Sequence, residues 1–284
     1  MKALVHFFMI SLFVVSFVSC KTVPFTNRKQ VNLLPKSMMM EMSLASYGDF
    51  LKQNPAKPSN DKGVQQIRRV GGNIAQAVDD FLRENKMADR IDDFQWEFNL
   101  VEDKLVNAWC MPGGKVVFYT GIMPICKDDG GIAVVMGHEI AHALARHGNE
   151  RMSQQLALQL GGMSLSMALQ EKPEMTQQIF LTSYGIGSTL GSLAYSRKHE
   201  YEADKIGMIL MAKAGYDPSL AVSFWERMAA AGSGTNVPEL LSSHPSDRKR
   251  IEAIKSHLPE AMRYYKKGNN RPKGASRKRK TVKM

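Results

Sequence analysis

The stretch "VVMGHEIAHALARHG", residues 134–148, decides the fold. A long apolar run carries His138 and His142 four positions apart, with Glu139 directly after the first. Residues four apart share one face of an α-helix, so both imidazoles can address a single point. Zinc takes three protein ligands and leaves one place for a water whose pKa falls to about 7. Glu139 is then placed to take the proton. This is the H-E-x-x-H pattern of zinc peptidases. Two core histidines one turn apart would show the same spacing, so the reading turns on a third ligand.

The metzincin extension needs glycine at 145 and histidine at 148, where this chain has Ala145 and Gly148. His147, five positions beyond His142, is expected to point away around the helix as a C-terminal cap or surface group. The strongest candidate lies 58 residues after His142, in "HEYEAD", residues 199–204. Glu200, Ala203, Asp204, Gly207 and Met211 fall on one helical stripe, and two carboxylates on a packing face are costly unless a metal or hydrogen bonds compensate. Glu200 is therefore expected as third ligand. Asp204, one turn on, is expected to accept a hydrogen bond from a ligand histidine. Glu202 is expected on the opposite side of that helix and His199 at the surface.

Working outward, 44% apolar and 23% charged residues are ordinary for one globular domain with appendages. Ten of the chain's +11 net charges lie in residues 263–284, leaving +1 for the rest. The body is not polycationic, which weighs against nucleic-acid binding; the block reads as a disordered basic tail, or as an arm touching a polyanion. The N-terminus, "MKALVHFFMISLFVVSFVSCK", has one lysine, an apolar run from Ala3 to Val18, and then Cys20. That run is short for a bilayer span and reads as a signal peptide over 1–19. Its end resembles the lipobox of bacterial lipoproteins, with Cys20 lipidated and residues 20–36 an extended lead-in. Cys110 and Cys126 remain, free to pair or to stay as buried thiols.

The methionine cluster in "SMMMEMSLASYGDFLKQ" fits the packed face of a helix. Residues 61–86 form an amphipathic helix with Val64, Ile67, Val70, Ile74, Ala77, Val78 and Phe81 at three and four spacing. Phe94, Trp96, Phe98 and Leu100 alternate as in a half-buried strand. Two further strands, "VNAWCM" and "KVVFYTG", flank a turn at Pro112-Gly113-Gly114. Asp128 or Asp129 can cap the histidine helix, which is expected to stop at Gly148. The Gly/Ser-rich "SYGIGSTLGSLAYS" is a lid, a close helix contact or an ordinary loop. The fold class is α+β: mainly helices, with a small antiparallel sheet beside the histidine helix, over residues 37–262.

Together, H-E-x-x-H, "SRKHEYEADKIGMILMAKAGYDP", "NAWCMPGGKVVFYTGI" and "SSHPSDRKRI" resemble the zinc endopeptidases that include HtpX and the CAAX prenyl proteases, the M-forty-eight peptidase family. The likeness runs from about residue 23 to 258 and is nearest the lipid-anchored periplasmic branch similar to BepA and LoiP. It implies a zincin-type domain holding one zinc ion, with His138, His142 and Glu200 as ligands, Glu139 as general base and Asp204 supporting a ligand. It also implies that His244 and Arg250 approach the metal; read alone, His244 would be an exposed helix cap. Asn107, Ala108 and Trp109 match an edge strand that grips an extended substrate. The activity this likeness implies is that of an endopeptidase acting on misfolded or stalled cell-envelope proteins, anchored in a bacterial outer membrane and facing the periplasm. The competing expectation is a metal-stabilised chaperone or assembly factor for outer-membrane proteins that seldom cuts. Asn27 departs from the glycine common in the family's lead-in.

Overall fold

In the computed structural model the described residues are 20–159, 165–186, 196–232, 238–244 and 248–269. The expected signal peptide, the end of the basic tail and residues 187–195 of the Gly/Ser-rich stretch lie outside them. The lead-in forms a hairpin of β1 (Cys20–Thr22) and β2 (Lys29–Val31), paired antiparallel. Asn27 has φ 54°, a left-handed conformation that asparagine tolerates better than most residues, which explains how it stands in for glycine. Helices α1 (Lys36–Gln53) and α2 (Lys62–Glu84) follow. Asp61 caps α2 by accepting from the amides of Gly63 and Val64, and all seven apolar positions expected to face inward are buried.

The strands are β3 (Glu97–Val101), β4 (Ala108–Met111) and β5 (Lys115–Tyr119), in the order β3-β5-β4. The sheet is mixed, which corrects the antiparallel arrangement expected from the strand sequences. β5 returns from β4 through Gly113 and Gly114, at φ 84° and 78°, and inserts beside β3, with which it runs parallel. Alternation in each strand reports burial and not the direction of its neighbour, so the parallel pairing has no local signature.

After a short helix α3 (Met123–Cys126) comes α4 (Asp129–Leu144), the axis of the molecule. Asp128 caps it by accepting from the Gly131 amide, and every residue from Gly130 to Leu144 is buried. A helix apolar on all sides must be enclosed by other elements. Here α2, α3, α8 (Arg197–Lys213), α9 (Leu220–Ala231) and β4 surround it. The chain turns at Arg146, φ 56°, and continues as α5 (His147–Gln159), α6 (Leu165–Glu171) and α7 (Pro173–Ser183). Beyond α9, α10 (Glu239–Ser243) leads to α11 (Arg248–Asn269), which packs on α8 and runs past residue 262.

A second core, on the other face of the sheet, gathers Met39, Tyr47, Trp109, Met111, Val117 and Phe180, so the methionine-rich helix packs inward as expected. Cys110 and Cys126 are both buried free thiols. Among the described residues no helix is long and apolar enough to cross a membrane.

Helices α4 and α8 cross at two glycines. A Cβ on Gly137 would lie 2.8 Å from the Gly207 carbonyl oxygen, and one on Gly207 2.9 Å from the Gly137 carbonyl carbon. Backbone meets backbone, with nothing flexible to give. Gly207→Val is therefore expected to cost at least ~1–3 kcal/mol through overpacking, measured by chemical unfolding of the metal-free chain. Unchanged stability would mean that the helices separate freely.

Candidate metal centre and active site

The glycine crossing brings α8 against the histidine face of α4. Its stripe of Glu200, Ala203 and Asp204 thereby meets His138 and His142, and all four polar side chains are buried. The Ser196 hydroxyl caps α8 by accepting from the His199 amide, which sets the helix start just before Glu200. From the C-terminal side, His244 follows α10 and Arg250 lies in the first turn of α11; both are buried as well.

His138, His142, Glu200 and His244 each offer a ligand atom, and these atoms lie within 4.8 Å of one another. His138 Nε2 is 3.1 Å from His142 Nε2, 3.2 Å from His244 Nδ1 and 3.4 Å from a Glu200 oxygen. The other Glu200 oxygen is 3.0 Å from His244 Nδ1 and 3.5 Å from His142 Nε2. Imidazole nitrogens and carboxylate oxygens converging in a buried space form a set of acceptors, which a divalent cation satisfies. Among the described residues Oε1 of Glu139 has no hydrogen-bond partner, and it lies 3.7 Å from His244 Nε2, beside the same point. These residues fit a single zinc ion.

Around the donors, Asp204 accepts from both the His138 ring and the Arg250 guanidinium. Its Oδ1 is 3.0 Å from His138 Nδ1, and Arg250 reaches its two oxygens at 2.7 and 2.9 Å. Arg250 also lies 2.8 Å from Glu200 and donates to the His244 carbonyl at 3.2 Å. The Trp225 ring covers the guanidinium carbon at 3.5 Å. Burial works against the charge of Glu200, yet His244 and Arg250 hold its pKa well below the usual value. Burial would likewise lower His138, but Asp204 and Glu200 outweigh it and push the ring up to about 9. His142 moves the other way, lowered well below its usual value by burial and by the neighbouring imidazoles, and so stays neutral. Burial raises Glu139, which suits a base that must also release its proton.

Every expected metal-site residue thus sits in one cluster: His138, Glu139, His142, Glu200, Asp204, His244 and Arg250. Asn107, Ala108 and Trp109 lie where β4 begins, on an edge of the sheet, although the Trp109 ring turns away into the second core. Cys20 opens β1, and its side chain is outside the described residues.

Two expectations, for His147 and His199, are overturned. His147 is fully buried, and its Nδ1 lies 2.9 Å from His142 Nδ1. An uninterrupted helix would have turned it away, but α4 ends at Leu144 and the left-handed Arg146 swings the next residue back. Only glycine or asparagine would have signalled such a turn, and the chain has arginine there. His199 is buried too, 3.1 Å from Glu150, and stacks on His147 with ring centroids 4.4 Å apart. Glu202 does lie off the Glu200 stripe, but it is buried, and it meets His147 at 2.9 Å and Arg28 at 2.7 Å.

Residues 70–258 match the profile of Peptidase family M48. The chain belongs to that family. As a member of Peptidase family M48 it is a metalloendopeptidase whose cofactor is zinc. Among its relatives is the mitochondrial metalloendopeptidase OMA1 of Schizosaccharomyces pombe, 32% identical over 87% of this chain and 68% of that protein. The mitochondrial metalloendopeptidase OMA1 of Homo sapiens is 27% identical over 89% of this chain and 48% of that protein. The beta-barrel assembly-enhancing protease of Escherichia coli is 29% identical over 55% of this chain and 33% of that protein. The chain spans about half or less of the length of most of these curated relatives.

Six of the relatives, from fungi, a plant and vertebrates, are mitochondrial by name. The expected location in a bacterial outer membrane, facing the periplasm, is corrected on that ground, and the BepA/LoiP branch gives way to membership of the family as a whole.

Proposed function

We propose that the chain hydrolyses peptide bonds in unfolded or stalled proteins at a membrane, with His138, His142 and Glu200 holding one zinc ion. The observation that carries this reading is the convergence of the four donor atoms within 4.8 Å of one another, beside an oxygen of Glu139 that has no hydrogen-bond partner among the described residues. When bound, zinc supplies Lewis acidity and lowers the pKa of water. Glu139 is the general base: it takes a proton from the attacking water and passes it to the leaving amine. Asp204 fixes His138 through Nδ1 and in turn is held by Arg250. His244 or Arg250 would help to stabilise negative charge on the carbonyl oxygen. Residues 107–109 on the edge of the sheet would align an extended peptide by main-chain hydrogen bonds, which makes sequence preference loose.

One observation favours a resting form that is closed. His244 Nδ1 lies as close to Glu200 and His138 as the other donors do, so it takes the fourth donor position and must move aside for a substrate. The rarely cutting chaperone would be such a closed form.

Metal analysis tests the reading. The purified chain should carry one zinc ion, and a chelator should stop its digestion of an unfolded protein. Glu200→Ala should lose the metal and the activity together. A Glu200→Ala chain that keeps zinc at full occupancy removes the carboxylate from the ligand set.

A further inference from the structure

The site leaves a second buried polar network unused, built from His147, Glu202, Arg28, Glu150 and His199. It meets the metal centre where the Nδ1 nitrogens of His142 and His147 lie 2.9 Å apart. We propose that His147 is a positioning residue for His142, and that Glu202 and the N-terminal Arg28 anchor it, tying the lead-in hairpin to the metal site.

The direction of each hydrogen bond depends on one premise, that His142 binds metal through Nε2, which rests on the proposed peptidase function. A neutral imidazole using Nε2 as a ligand carries its proton on Nδ1. That N–H must donate, and His147 Nδ1 faces it, so His147 accepts there and carries its own proton on Nε2. This second N–H meets a Glu202 oxygen at 2.9 Å. Glu202 is fixed in turn by the Thr26 hydroxyl and by Arg28, whose Nε donates at 2.7 Å. Each member has one consistent role, from the metal ligand to the guanidinium.

His138 gives the comparison within the same site. Its Nδ1 faces the Asp204 carboxylate at 3.0 Å, the usual support for a ligand histidine. At His142 an imidazole occupies that place and passes the demand one ring further to a carboxylate. The rest of the network holds His147 still. His199 stacks on its ring, Glu150 accepts from His199 at 3.1 Å, and Arg28 donates to both Glu150 oxygens at 2.8 and 3.0 Å. Arg28 therefore bridges the two glutamates, one on α5 and one on α8.

The test uses the full chain and reads zinc affinity by chelator competition, together with the visible spectrum of the cobalt-substituted protein. His147→Leu removes the acceptor and should weaken zinc binding by about 10–100-fold, with a shifted cobalt spectrum. His147→Asn, whose Oδ1 can accept in place of Nδ1, should recover most of that loss, and Arg28→Met should fall between. Wild-type affinity and spectrum in His147→Leu would overturn the proposal. His142→Ala separates the premise: if it abolishes zinc binding while His147→Leu does not, the ligand assignment stands and the positioning role falls. Should His147→Leu fail to fold, nitrogen NMR of the labelled wild-type zinc form decides. His147 protonated on Nε2 and bare on Nδ1 is the expected tautomer; the opposite tautomer overturns the proposal.

Discussion

Glu139→Gln is expected to reduce peptide hydrolysis by about 10²–10⁴-fold, the range for loss of a general acid–base group, while zinc stays bound. The amide keeps the size of the carboxylate but cannot take a proton from water. Glu139 is no part of the four-donor cluster, so removing its charge leaves the donors intact. The check is kcat/KM on an unfolded protein alongside metal content. Near-normal turnover with full zinc would assign the base elsewhere.

The second large effect concerns stability. Arg250→Met should destabilise the metal-free chain by about 3–5 kcal/mol, because it leaves the buried carboxylates of Asp204 and Glu200 without their cation. The arginine is 1% exposed and bonds both oxygens of Asp204. For a domain of this size such a loss lowers Tm by roughly 6–20 °C, as calorimetry would report. Zinc should restore part of the loss, since the ion brings positive charge back to Glu200. A variant that melts like the wild type would show that Asp204 and Glu200 find other compensation.

These residues differ in how legible they were. His138, Glu139 and His142 follow from helical geometry, and Glu200 with Asp204 from the cost of two carboxylates on an apolar stripe. His244 and Arg250 carry no such local mark: a histidine before a proline and one arginine among several became visible only through family likeness. His147 was misplaced because a regular helix was extended through Arg146, whose left-handed backbone has no glycine to announce it, and His199 because its burial comes from packing against α5 and not from its own helix. The helices and the turn at Gly113-Gly114 were readable from period and composition. The insertion of β5 between β3 and β4 is a long-range pairing, and no single strand encodes it. The compartment had been read from the leader and from likeness to one branch of the family, and the names of the mitochondrial relatives overturn it.

The two-glycine contact also determines where the protein can yield. Helices that touch main chain to main chain cannot slide past one another without collision, so α4 and α8 act as a fixed jaw that holds three of the four donors at constant spacing. Whatever admits a peptide must be borne by the remaining donor, His244, at the end of a helix only five residues long. Opening the buried site is then a one-sided movement.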